Sequence, residues 1–243
     1  SSARLFALWI TMPAFLLIAI SIIFLKNQTR PIINLARASE RFGRGENIEE
    51  FRPSGALEIR QAGYEFEIVE PKVDETMMPG EDPSSLTERL SMMKAVAAQK
   101  MLGPDSKMDV FLGSDTTVVV GGEALGKPRS EHHAKQMLRR LSGRTHEVIT
   151  AVSVLWNNRQ ASEIVTSEVT FCSLSDALID DYCASEEPFD KAGGYAIQGR
   201  AAVFVENLRG SYYGVMGLPL RETFRLLKNA NVYPTWHRSR VKK

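Results

Sequence analysis

Four charged side chains stand where apolar runs break into turns or on a helix between them: Glu75 in VDET, Lys94 in SMMKA, Asp115 in GSDTTV and Lys127 in LGKP. Carboxylates and lysines that converge at strand ends can make a phosphate and metal site. A triphosphate carries several negative charges, Mg²⁺ takes oxygen ligands and keeps waters, and lysines supply point charges. In open α/β sheets ligands bind where strands end, and there Asp74, Glu75 and Asp115 are expected. Taken singly, an acid after a strand reads as a turn or cap residue, and a lysine as a solvated charge. A second stretch, DKAGGYAIQG over residues 190–199, spends three glycines and a buried-looking Gln198 in one loop, as if something had to approach its backbone closely.

The elements that must position these residues begin at Tyr64. YEFEIVEP is strand-like, and the helix after it, about Ser85 to Met101, keeps Leu86, Leu90, Met93 and Ala97 on one face. VFLGSD and TTVVV read as β-branched runs broken by turn residues. A second helix carries Ala134, Met137, Leu138 and Leu141 at helical spacing. HEVITAVSVL and IVTSEVTF form a strand pair about Asn157-Asn158, SLSDALIDDYCAS a capped helix, and AAVFVENLRG another strand. Pro219 opens a last helix with Leu220, Phe224 and Leu227. The pattern is that of one α/β domain without internal repeats.

Composition narrows the function. The net charge of +1 over 243 residues gives no field that would draw nucleic acid. The two cysteines, Cys172 and Cys183, have no metal-binding spacing and suit a reducing compartment. The start of the chain differs in kind: from Leu5 to Leu25 it carries no charge, long enough to cross a hydrocarbon core of about 30 Å as a helix. Lys26, Arg30, Arg37, Arg41 and Arg44 follow it, against Arg4 alone before it, so the positive-inside rule places the remainder in the cytoplasm, tethered to the inner membrane. Residues 1–26 are thus expected as a transmembrane helix. The next stretch is an amphipathic helix with Ile32, Leu35, Ala38 and Phe42 on one face, a glycine-containing connector, and GALEIRQAG opening a second helix. It resembles the HAMP linker of sensor kinases over 27–60, a module that works as a dimer, so a homodimer is expected. His132, His133, His146 and His237 lack the context of a kinase histidine.

VDET, KA, GSDTTV, LGKP, A-x-x-M-L-x-x-L-S-G-R-T-H, EEPFDKAGGYAIQG and GSYYGVMGLPL, in this order and spacing, resemble the Maf family of nucleoside triphosphate pyrophosphatases. The resemblance assigns residues 61–236 to a Maf-like domain, leaving 237–243 as a basic tail. It implies a Maf/ITPase-like mixed sheet flanked by helices, and hydrolysis between the α- and β-phosphates of a nucleoside triphosphate. AIQG with DTT is similar to the dTTP/UTP branch. By the same resemblance Asp115 is the general base and a metal ligand, and Glu75 helps to hold Mg²⁺ or Mn²⁺. Lys94 and Lys127 neutralise the phosphates, and Thr116 with Gln198 selects the base, the glutamine offering a donor and an acceptor to a pyrimidine edge. The family's S-x-S-P-R-R loop has no counterpart ahead of QAGYEFE, which implies a chimera with weakened activity. A second reading is a membrane-anchored signalling fragment carrying an inactive Maf domain.

Overall fold

A computed structural model describes residues 56–102 and 110–237. The expected membrane span and most of the HAMP-like stretch, through residue 55, lie outside the described residues, as does the tail beyond His237. Among the described residues no helix is long and apolar enough to cross a membrane. All of them fall within one unit, Arg52–Lys243.

The elements run α1 (Ala56–Gln61), α2 (Pro83–Leu102), β1 (Val110–Val120), β2 (Glu123–Leu125), α3 (Glu131–Leu141), β3 (Thr145–Trp156), β4 (Arg159–Phe171), α4 (Asp176–Cys183), β5 (Val205–Arg209), α5 (Tyr212–Met216) and α6 (Leu220–Asn229). The strands form one sheet in the order β2-β1-β3-β4-β5, and every neighbouring pair is antiparallel. The expected mixed sheet is therefore corrected to an antiparallel one among the described residues. Its centre is the β3–β4 hairpin, closed by Asn157 and Asn158 at φ 46° and 60°, the paired positive values of a type I′ turn.

Three expected elements come out differently. YEFEIVEP pairs with no strand: Tyr64 is buried beside Val152, Val154 and Leu226, while Glu65, Glu67 and Ile68 are exposed. Alternation records burial on one side, which an extended segment lying on a core shares with a strand. VFLGSD and TTVVV are one uninterrupted strand, β1. AAVFVENLRG divides into a 3₁₀ turn, Arg200–Phe204, and the short edge strand β5.

Side chains alternate across the sheet, so β1 and β3 present two different faces. On one, Phe111, Gly113, Asp115 and Thr117 of β1 register with Leu155, Ser153, Ala151 and Ile149 of β3. Helix α2 covers this face. Its buried residues are Leu86, Thr87, Leu90, Ser91, Ala95 and Ala98, so the face is rotated from the expected one and Met93 and Ala97 are only half-buried. Thr87 bonds to Thr117 at 2.7 Å and Ser91 to Ser153 at 2.6 Å across the contact. On the opposite face α1 and α6 cover Val152 and Val154, and α3 and α4 close the other end around Val118, Val148, Phe171 and Phe204.

Candidate active site

Asp115 is carried mid-strand on β1, facing α2. Its Oδ1 accepts a 2.5 Å hydrogen bond from Lys94 Nζ, and Lys94 lies 3.0 Å from Glu75 Oε1. Two carboxylates thus share one ammonium. The Asp115 side chain is 10% exposed and that of Glu75 45%, so one acid is screened from solvent and the other stands at the mouth.

The close approach has a local cause. A Cβ on Gly113 would stand 2.2 Å from the Ser91 carbonyl oxygen and 2.6 Å from the Ala95 nitrogen, so the α2 backbone lies directly on β1 there. Only glycine leaves that room, and two residues further along the strand the same contact delivers Lys94 to Asp115. Ahead of α2, Asp82 caps the helix by accepting from the amides of Ser84 at 2.9 Å and Ser85 at 3.2 Å. The preceding loop carries Glu75.

Burial raises the Asp115 carboxyl above the usual range, and the adjacent Lys94 works against that rise. Burial also opposes charge on Lys94, but Asp115 and Glu75 outweigh it and the ammonium is held above an ordinary lysine. Burial acts against the Glu75 anion too, yet the bond from Lys94 and the nearby charges of Lys94 and Lys127 bring its pKa below the usual value. A raised lysine and a raised aspartate pull a pair in opposite directions. With a second carboxylate on the same ammonium we read the group as Lys94⁺ between two anions, Asp115 being the more basic.

Lys127 is exposed in the turn after β2 and acts on Glu75 and Asp115 through its charge. Thr116, next to Asp115, points to the opposite face. Its hydroxyl lies 2.9 Å from Thr150 Oγ1, which donates to the Gly214 carbonyl. Gln198 is exposed rather than buried, in the turn closed by Gly199 N–H to the Ala196 carbonyl.

The glycines of DKAGGYAIQG have occupants from the protein itself. Gly193, at φ 69°, rests on Val118; a Cβ on Gly194 would meet Pro128 at 3.2 Å, and one on Gly199 would strike the Glu187 carboxylate at 2.5 Å. Glu187 accepts from the amides of Arg200 and Ala201 and from Tyr182 Oη, tying the end of the loop. The loop also bonds to the Lys127 turn through Gly193 N–H and the Gly126 carbonyl, at 3.0 Å. What approaches this backbone is the fold.

The donor set fits a hard divalent cation. Among the described residues no group of three or more His, Cys, Asp or Glu side chains gathers. Mg²⁺, however, is held by one or two carboxylates with waters and substrate phosphates completing its shell, which Asp115 and Glu75 can provide. Sequence reasoning missed Gly113, Glu187 and an arginine, Arg89, that grips the loop bearing Glu75. Gly113 was hidden because VFLGSD and TTVVV read as two runs broken by turn residues.

Residues 57–230 match the family model described as Maf-like protein. The chain is 48% identical over 174 residues to a dTTP/UTP pyrophosphatase of Shewanella oneidensis, covering 72% of this chain and 89% of the relative. It is 44% identical over 183 residues to a protein of that name from Nitrosospira multiformis, covering 72% and 88%. A third, from Photorhabdus laumondii, is 47% identical over 164 residues, covering 68% and 83%. The match begins within α1, whose Ile59 packs with Val152 and Leu226, so residues expected to start a HAMP helix are part of the catalytic domain. With Lys94 of α2 paired to Asp115 of β1 inside a match of this extent, the chain belongs to the Maf family.

Proposed function

We propose that this chain hydrolyses dTTP and UTP between the α- and β-phosphates, releasing the nucleoside monophosphate and pyrophosphate. The observation that carries the reading is the part-buried Asp115–Lys94 pair, on a chain 44% to 48% identical to proteins named dTTP/UTP pyrophosphatase. Asp115 takes the proton of the attacking water; a carboxyl raised by burial is a stronger base than one in solvent. Lys94 and Lys127 meet the phosphate oxygens, where charge is worth more as water is excluded. Glu75 and Asp115 would hold Mg²⁺ or Mn²⁺, which supplies positive charge against the phosphates when bound. The exposed Gln198 amide reads the base edge, and Thr116 braces the strand from its other face.

We further infer that the activity is tethered to the inner membrane. The uncharged run from Leu5 to Leu25 and the basic residues after it support the tether, and the HAMP-like stretch supports a homodimer. Without an arginine loop ahead of QAGYEFE, nucleotide affinity is expected to be weakened by roughly ten- to a hundredfold. One experiment tests these points: pyrophosphate release from dTTP, UTP, CTP and 7-methyl-GTP by fractions of cells making the full chain or its Asp115→Asn variant. Release from dTTP and UTP in the membrane fraction, absent in the variant, is expected. Activity that survives the variant, or prefers 7-methyl-GTP, overturns the catalytic reading, and activity in the soluble fraction overturns the tether.

A further inference from the structure

Glu75 is held on a loop with no regular secondary structure, yet that loop is braced at each step. Asp74 Oδ1 accepts from Thr76 N–H at 2.9 Å. Pro79 and Gly80 form a turn closed by Glu81 N–H to the Met78 carbonyl at 3.1 Å, with Gly80 at φ 77° as a type II turn requires. Glu81 Oε2 accepts from Met78 N–H at 2.9 Å. Arg89 then joins this unit to α2: its Nε and Nη2 donate to the two Glu81 oxygens at 2.6 and 2.8 Å, and Nη2 also donates to the Thr76 carbonyl at 3.0 Å.

Thr76 follows Glu75 directly, so the guanidinium grips the backbone one residue from the acid while Lys94, further along the same helix, takes the carboxylate. Arg89 spends its fork on Glu81 and the loop and makes no bond to Glu75 or Asp115. The fork holds the Glu81 carboxyl down at about 2, so this anchor stays charged throughout the range in which an enzyme works. A lysine at this place could not serve both carboxylate oxygens and the carbonyl from one planar group.

We propose that Arg89 is the positioning residue for Glu75, fixing the 74–81 loop on α2 so that the exposed acid stands beside Lys94 and the metal. The inference rests on the proposed metal-assisted reaction, but its test has a readout without turnover. In the full chain, Mn²⁺ binding is measured with the metal alone, together with amide exchange at Thr76 and Met78, in Arg89→Leu, Arg89→Lys, Glu81→Gln, Glu75→Gln and the Arg89→Leu/Glu75→Gln double variant.

Arg89→Leu and Glu75→Gln are each expected to weaken Mn²⁺ and lower kcat/KM by roughly ten- to a hundredfold, and the double variant to be no worse than either. Exchange at Thr76 and Met78 rises in Arg89→Leu and Arg89→Lys but not in Glu75→Gln. Additive losses in the double variant, full function in Arg89→Lys, or unchanged exchange overturns the proposal. Should Arg89→Leu fail to fold, Glu81→Gln breaks the same fork from its other side, and its cycle with Glu75→Gln decides. A wild-type chain that releases no pyrophosphate defeats the enzymatic reading, while the exchange data still judge the clamp.

Discussion

At the scale of single residues the site is a charge-sharing problem: one ammonium serves a largely covered acid and an exposed one. In its proposed role as base Asp115 must be ionised to accept a proton, so activity is expected to fall as pH drops through its raised pKa. Lys94 favours the ionised form. Removing it in Lys94→Gln leaves Lys127 alone to oppose burial and moves the acid limb of kcat/KM to higher pH, as a pH profile of pyrophosphate release will show; an unmoved limb assigns that limb to another group. Taken singly Glu75, Lys94 and Asp115 read as bland charges; the order of the motifs singled them out, and the structure brings the three side chains together. The sequence disclosed Arg89 poorly, since its partner Glu81 lies across a helix start and neither residue interrupts an apolar run. Gln198 and the glycines misled in the other direction: exposure and close packing depend on which distant side chain arrives, and Glu187 and Val118 arrive from elsewhere.

At the scale of elements, α2 and β1 form the unit that brings Lys94 to Asp115. Thr87, Ser91, Ala95 and Ala98 give α2 a face of small residues, and Gly113 lets the helix lie on the strand. Gly113→Ala forces the two apart. A loss of roughly 1–3 kcal/mol in unfolding free energy is expected from overpacking, with a larger proportional fall in kcat than in KM as Lys94 leaves Asp115. Denaturant titration and steady-state kinetics measure both, and an unchanged kcat would separate this contact from catalysis. Helices α3 and α6 and the Asn157-Asn158 hairpin were legible because their periodicity and turn residues are local. Strand β1 was not. Its Gly, Ser and Asp look like a turn, and it is the ladder with the distant β3 that makes them strand residues, with α2 on one face and the Gly217 carbonyl 2.7 Å from Ser114 Oγ on the other.

At the scale of the whole molecule, one buried titratable group links the fold to pH. His146 is 2% exposed among Phe171 and Tyr195, and its Nε2 lies 2.8 Å from Tyr195 Oη. Burial, opposed by the Arg144 backbone, lowers its pKa from 6.5 to about 4. In that interval the unfolded chain binds the proton and the folded one does not. Stability is therefore complete above about pH 6.5 and declines as pH falls toward 4, by roughly 2–4 kcal/mol. His146→Gln, which keeps a polar end for Tyr195, flattens the decline in denaturant titrations between those values; an equal decline assigns it to other groups. The glycine loop anchored by this tyrosine carries a wider consequence. Gly193, Gly194 and Gly199 are required by Val118, Pro128 and Glu187, whereas the exposed Glu75 is held by its ion pair with Lys94. In a lineage released from selection for turnover, Glu75 would drift early and the glycine signature would persist as long as the chain still folded. That signature answers to packing, whereas the acid beside Lys94 answers to the proposed function alone.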